Sequence, residues 1–259
     1  MKKWVKNKYR FLLSIAGFDP VNSAGISSDI RLIDIFKIRV LSVITSIVVQ
    51  DDREVVEKID IKENDVVSQV KFYLEKYPVY IVNIGIINNL SLLKSVLMLT
   101  KEKRVLVVFD PILYSGSGNF DFFDENEIFN IKCFLSDIHL FTPNIPEFEK
   151  IFDVKIENEN IEDLLKQTSK RYNIKNTLLK GGHSKGKESY DYLFISKRNK
   201  IIRFRSKLRK MRVHGTGSFY NSLISSFLLN GFNIEDSVKL AKKELDMRIN
   251  EVENDFKGL

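Results

Sequence analysis

Val79-Tyr80-Ile81-Val82-Asn83-Ile84, then Leu90-Ser91-Leu92-Leu93-Lys94-Ser95-Val96-Leu97-Met98-Leu99-Thr100, then Arg104-Val105-Leu106-Val107-Val108-Phe109 set the pattern of the whole chain. Two short β-rich runs flank a helical one. The runs are apolar almost throughout, as strands covered on both faces should be. Upstream, Val66, Val70, Tyr73, Leu74 and Tyr77 form a stripe at a period of 3.6 residues, predicting a helix over Asn64–Tyr77. The same alternation extends both ways. Strands are expected at Phe11–Ala16, Val43–Val49, His139–Phe141, Thr177–Lys180, Tyr190–Ile195 and Ile201–Arg205. Helices are expected at Ala24–Phe36, Glu125–Phe134, Glu147–Phe152, Ile161–Tyr172, after Ser218, and over Ile234–Val252. Such alternation implies an α/β fold, three layers with a mainly parallel central sheet, in one domain spanning residues 1–259.

Composition narrows the class. Hydrophobic residues make up 44% of the 259 and charged residues 29%, ordinary for a soluble globular chain. No apolar run approaches the length of a membrane span. One cysteine, Cys133, excludes an internal disulfide framework and a cysteine-rich zinc site, so a cytoplasmic location is expected. The net charge of +7 is concentrated in Lys197–Arg212, which holds nine basic residues and no acid. That segment is either a solvated strand face with its loop or a site drawing in phosphate. Phe204 is its one aromatic, which argues against a nucleic-acid partner.

In an open parallel sheet, ligands bind at the carboxyl ends of the strands. Polar and glycine-bearing segments fall there: Gly17-Phe18-Asp19-Pro20, Gln50-Asp51-Asp52, Asn83-Ile84-Gly85, Asp110-Pro111, Thr142-Pro143-Asn144-Ile145-Pro146-Glu147 and Lys180-Gly181-Gly182-His183. His214-Gly215-Thr216-Gly217-Ser218 then opens an amphipathic run ending at Gly231. Backbone N–H groups at such a helix start converge on one spot, and small residues let an anion come close. The chemistry that fits is charge stabilisation on a transferring phosphoryl group. Walker A is absent.

Taken in order, Ser14-Ile15-Ala16-Gly17-Phe18-Asp19-Pro20 with Ala24-Gly25-Ile26-Ser27-Ser28-Asp29, Ser42-Val43-Ile44-Thr45 with Gln50, Phe109-Asp110-Pro111, Thr142-Pro143-Asn144 with Glu147, Leu179-Lys180-Gly181-Gly182-His183 and His214-Gly215-Thr216-Gly217 resemble one family. It is the hydroxymethylpyrimidine and hydroxymethylpyrimidine-phosphate kinases of thiamine biosynthesis, in the ribokinase superfamily. The resemblance runs from about Phe11 to Gly231 and implies a ribokinase-like fold, with ATP and Mg2+ as cofactors. It implies that Gly17, Asp29, Gln50 and Ile86 hold the pyrimidine. Asn144, Lys180, Gly182 and Gly217 would meet the nucleotide, Glu147 and Asp110 the metal, and Gly215, Thr216, Gly217 and Ser218 the reacting phosphate, with Lys180. Read from residue chemistry alone, Asp29 could instead pair on a helix surface and Gln50 cap a strand. Glu147 could serve as a helix N-terminal acid, and Lys180 could snorkel.

Relatives carry cysteine where Ser218 stands. A serine hydroxyl supplies no comparable base, so a bias toward the monophosphate-to-diphosphate step is expected. Asn22-Ser23 replaces a usual glycine pair, Asn83 a common lysine and Ile86 a frequent methionine; Phe219 and Tyr220 replace smaller residues. Two alternatives stay open: a pyridoxal or pyridoxine kinase, and a non-catalytic ligand-binding or regulatory protein on the same fold. Homodimers are common among relatives.

Overall fold

The computed structural model describes residues 10–51, 53–115, 118–157, 160–181, 188–207 and 215–257. β1 (Phe11–Phe18) leads through α1 (Gly25–Ile30) and α2 (Leu32–Phe36) to β2 (Arg39–Gln50) and β3 (Val55–Asp60). α3 (Glu63–Lys76), β4 (Val79–Ile84), α4 (Leu90–Glu102) and β5 (Leu106–Phe109) follow. Next come α5 (Glu125–Ile128), a 3-10 turn over Ile131–Asp137, β6 (Leu140–Phe141), α6 (Ile145–Phe152) and α7 (Ile161–Arg171). β7 (Asn176–Leu179), β8 (Glu188–Ile195), β9 (Lys200–Lys207), α8 (Thr216–Leu229) and α9 (Ile234–Lys257) complete the order.

The strands form one sheet in the order β3-β2-β1-β4-β5-β6-β7-β8-β9. β2, β1, β4, β5, β6 and β7 run parallel, and β3, β8 and β9 add antiparallel edges. Neighbouring side chains along each parallel strand point to opposite faces, so both must find cover. Leu13, Val82 and Val107 pack with Val70 of α3, Val96 of α4 and Phe148 of α6. Leu12, Ile81 and Val108, one position away, pack with Leu223 and Phe227 of α8 and Val238 of α9. The near-continuous apolar runs in the sequence are the direct consequence of this double burial.

Two expected elements differ, and one strand was not expected. β3 was absent from the sequence reading: Val55-Val56-Glu57-Lys58-Ile59-Asp60 is an edge strand with Val56 and Glu57 exposed, and its charges mask the strand pattern. The helix expected over Ala24–Phe36 divides at Arg31 and stops at Lys37, which adopts left-handed φ. The helix expected over Glu125–Phe134 is α5 followed by the 3-10 turn.

Candidate active site

β1 pairs with β2 on one side and β4 on the other, so the chain changes direction of winding at β1. The crevice at the carboxyl ends of β1 and β4 is where an open α/β sheet binds its ligands. Gly17 sits there, at a break in the β1–β2 register between Ala16 and Phe18. A Cβ at Gly17 would lie 3.1 Å from Ser46 Oγ and 3.4 Å from Ile86 Cδ1. The residue's smallness therefore keeps that corner open beside Ile86. Ile86 packs with Val48, Val55, Ile112, Phe120 and Phe122, an apolar wall built from β2, β3 and the segment after β5.

Asp19 ties the loop after β1. Its carboxylate accepts from the N–H groups of Val21 (2.8 Å), Ser23 (2.9 Å) and Ala24 (2.7 Å), from Ser23 Oγ and from Gln50 Nε2. Burial pushes its carboxyl up, but these donors outweigh it and hold the group below the usual carboxylate range. Gln50 thus meets the loop after β1 through Asp19, a residue given no role in the sequence reading. The crowding of amide donors that follows Asp19-Pro20 is a turn signal that could have found it.

Two further glycines let backbones pack closely here, Gly25 against β1 and Gly215 of α8 against the loop after β1. Gly25 has φ +56°, and a Cβ there would stand 2.2 Å from the Gly17 carbonyl oxygen. Gly215, at φ +79°, caps α8 with a left-handed turn, and its Cβ would stand 2.0 Å from the Ser23 carbonyl oxygen. No side chain could replace either hydrogen without moving backbone.

Lys180, after β7, closes the other end. It forms a buried ion pair with Asp110, after β5, at 2.7 Å. The structure thus replaces the snorkelling alternative for Lys180 with a buried pair. A Cβ at Gly217 would lie 3.5 Å from Lys180 Nζ, so this ammonium stands against the first turn of α8. Asn144 caps α6, accepting from Glu147 N–H at 2.9 Å, while Glu147 Oε2 accepts from Asn144 N–H at 2.8 Å. The Asn-x-x-Glu motif is therefore a capping box, with Pro146 in the first turn.

Glu147 is 4% exposed and Asp110 is 3% exposed. Burial pushes the Glu147 carboxyl up to about 8; the Lys180 charge opposes this and the Asp110 charge adds to it. Burial likewise raises Asp110 against the pull of Lys180. Burial works against the Lys180 charge, yet Asp110 and Glu147 overcome it and raise its pKa. Two carboxylates thus share one ammonium in a desolvated spot. That imbalance favours a further cation.

Asp29 is 2% exposed, and Ser14 Oγ and Ser222 Oγ donate to its two oxygens. The surface-pair alternative for Asp29 is overturned by this burial. Thr216 and Ser218 lie in the first turn of α8, half-buried. Gly182 and His214 lie outside the described residues, as do Leu208–Arg212 of the basic segment. Within that segment Arg203 pairs with Glu162 of α7 at 2.6 Å and Lys200 with Glu235 of α9 at 3.0 Å. Much of the strand's charge is therefore answered by acids on neighbouring helices, which weakens the polyanion reading. No helix among the described residues is long and apolar enough to cross a membrane.

A crevice at the sheet's switch point, an ammonium against a glycine-rich helix start, and paired buried carboxylates define a small-molecule kinase of α/β fold. Residues 19–256 match the family model described as phosphomethylpyrimidine kinase. The chain is 33% identical over 234 residues to the hydroxymethylpyrimidine/phosphomethylpyrimidine kinase of Aquifex aeolicus, covering 89% of this chain and 90% of that one. The crystal structure of phosphomethylpyrimidine kinase from Clostridium difficile superposes with a TM-score of 0.77 at 27% identity, covering 92% of this chain and 99% of that one. An ADP complex of Bacillus subtilis pyridoxal kinase shares the fold, with a TM-score of 0.80 at 17% identity over 91% of this chain and 90% of that one. The chain belongs to the phosphomethylpyrimidine kinase family.

Proposed function

We propose that this protein transfers the terminal phosphoryl group of ATP, as its magnesium complex, to a hydroxymethylpyrimidine or its monophosphate. The observation that carries the reading is Lys180, bonded to Asp110 and standing against the first turn of α8, at the same end of the sheet as Gly17, Ile86 and Gln50. Asp110 and Glu147 fit magnesium, which takes few protein ligands and would answer the buried carboxyl that Lys180 leaves without a counter-ion. Bound there, the ion neutralises charge on the phosphates.

The chain's own residues do the rest. The N–H groups at the start of α8 would donate to the transferring phosphate, and Lys180 would add a positive charge beside them. The wall of Ile86, Ile112, Phe120 and Phe122 suits the face of a flat ring, while the Gln50 carboxamide suits a ring edge that offers both donors and acceptors. Gly182 is assigned to the nucleotide by resemblance alone.

Ser218 decides which acceptor reacts well. A hydroxymethyl group must lose a proton as it attacks, and the Ser218 hydroxyl takes up none; missing base catalysis costs about 10²–10⁴ in rate. A phosphomonoester, with a second pKa of about 6, is already largely dianionic at pH 7. The monophosphate is therefore the favoured substrate. Magnesium-dependent ADP release from ATP is measured with hydroxymethylpyrimidine, its monophosphate and pyridoxal, on native protein and Ser218→Cys. Fast turnover of the monophosphate, with the alcohol accelerated by Ser218→Cys, is expected. Equal native rates on alcohol and monophosphate would sink the proposed bias, and preference for pyridoxal would sink the ring assignment.

A further inference from the structure

Two polar side chains beside the ring wall are left without a task by this mechanism: Lys58 of β3 and Asn119 of the segment after β5. Lys58 lies opposite Val48 in the β2–β3 ladder. Val48 faces the corner that Gly17 keeps open, its Cγ2 3.5 Å from where a Gly17 Cβ would stand. The Lys58 side chain is 10% exposed, and its ammonium pairs with Asp60 at 3.0 Å. The same ammonium donates to the Phe122 carbonyl oxygen at 3.4 Å. Three residues earlier in each segment, Asn119 Nδ2 donates to the Val55 carbonyl oxygen at 3.1 Å. Both bonds join residues 64 positions apart, so β3 and residues 119–122 run side by side in the same direction.

Phe120 and Phe122 belong to the apolar wall, and Val55 of β3 packs in the same cluster with Ile86. The inner edge of this wall is held from within its own segment. Phe122 N–H donates to the Leu113 carbonyl at 2.8 Å, and Ser115 Oγ accepts from the N–H groups of Asn119 and Phe120, both at 3.1 Å. The outer edge borders β3, the last strand on that side of the sheet, and there Asn119 and Lys58 bridge the two segments. Asp60 is 47% exposed and by itself would draw the ammonium out to water; the Phe122 carbonyl turns it inward over the wall. An ionised donor makes that bond one of the stronger kind.

We infer that Lys58 and Asn119 are positioning residues for ring binding: together they tie Phe120 and Phe122 to the edge strand, beside Val48 and Ile86. This rests on the reading of that wall as the ring site. A wall held in place before the ring arrives loses little freedom on binding, whereas one cut loose along its outer edge must be ordered by the ring itself. The loss therefore falls on ring affinity. The nucleotide end, built from residues after β5, β6 and β7 and the start of α8, keeps its arrangement.

The test compares the native protein with three variants. Lys58→Met keeps the apolar stem and removes the ammonium, Asn119→Ala removes the second tie, and Lys58→Arg restores a charged donor. Three quantities are read: the calorimetric Kd for hydroxymethylpyrimidine without nucleotide, the Michaelis constant for ATP, and hydrogen exchange of the Phe120 and Phe122 amides. Lys58→Met and Asn119→Ala are each expected to weaken the ring Kd by about three- to tenfold, to speed exchange of both amides, and to leave the ATP constant within about twofold. Lys58→Arg should recover most of the loss. An unchanged ring Kd in both variants would overturn the inference even with lowered stability in urea, because the ties would then be structural only. Equal losses for ring and ATP would overturn it too, as would a Kd in Lys58→Arg no better than in Lys58→Met. Should Asn119→Ala not fold, Lys58→Met against Lys58→Arg carries the same comparison. Failure of the underlying reading looks different. Native protein that binds no hydroxymethylpyrimidine removes the ring site and this inference with it. Native protein that binds the ring without turnover sinks only the kinase reading, and the ring Kd and exchange still decide the role of the two ties.

Discussion

Lys180, Asp110 and Glu147 illustrate how charge counting sets behaviour at the residue scale. One ammonium neutralises one carboxylate, and burial drives the remaining carboxyl, Glu147, up to about 8. Removing the ammonium leaves two carboxyls facing each other without a counter-ion. Lys180→Met is therefore expected to lower unfolding stability by about 3–5 kcal/mol, read by urea denaturation. It should also lower kcat by about 10²–10³ through the lost charge at the transferring phosphate. Asp29 gives a pH prediction. Burial raises its pKa from 3.8 to about 6, against the Ser14 and Ser222 hydroxyls, which lower it. The folded state thus binds the proton more tightly than the unfolded chain. The stability this contributes is complete below pH 3.8 and is lost as pH rises through about 6. The loss is on the order of 3 kcal/mol. In Asp29→Asn that decline between pH 4 and 6 should vanish; equal slopes in both proteins would count against the buried setting of Asp29.

At the scale of elements, α8 and α6 are defined by their starts. Gly215 takes a left-handed turn hard against Ser23, so Gly215→Ala pays both for φ and for displaced backbone. A loss of about 1–3 kcal/mol is expected in chemical denaturation, with a larger proportional loss of turnover because the turn faces the phosphate. The start of α6 depends on Asn144. Asn144→Ala deletes the cap and should cost about 1 kcal/mol. It also removes the side-chain oxygen that holds the Glu147 N–H, loosening the turn that positions the Glu147 carboxyl, so the magnesium concentration for half-maximal rate should shift as well. An unchanged magnesium dependence would separate the capping role from the metal role. The division of the helix expected over Ala24–Phe36 belongs at this scale too. The left-handed Lys37 ends α2, and no local residue signal announced it.

Across the whole molecule, the last helix reaches back to the rim. Lys242 of α9 pairs with Asp191 of β8 at 2.6 Å, and the other Asp191 oxygen accepts from Gly181 N–H at 2.9 Å. The residue next to the Lys180 ammonium is thus anchored by an ion pair from an element far along the chain. Replacing Lys242 by methionine strands a buried carboxylate and is expected to cost about 3–5 kcal/mol in unfolding free energy. The Michaelis constant for ATP should rise while that for the pyrimidine stays near native. Loss of stability with an unaltered ATP constant would confine the pair to a purely structural role.

The sequence alone determined the layered α/β architecture, because strands buried on both faces must be apolar at successive positions, and those runs are visible as local text. It also exposed the rim: Gly17, Gln50, Asp110, Glu147, Lys180 and the Gly215–Ser218 turn all end or follow strands or open a helix, where backbone groups and polar side chains must concentrate. Strand β3 was not legible, since an exposed edge strand with alternating charges carries no apolar run. Which of these residues meet is set by how the elements pack. Lys180 found Asp110, 70 positions away, and Ser222 found Asp29, 193 positions away, through packing of elements that no local pattern encodes. Desolvation, which raises the Glu147 and Asp29 carboxyls, is a property of everything packed around them and of no short stretch of chain.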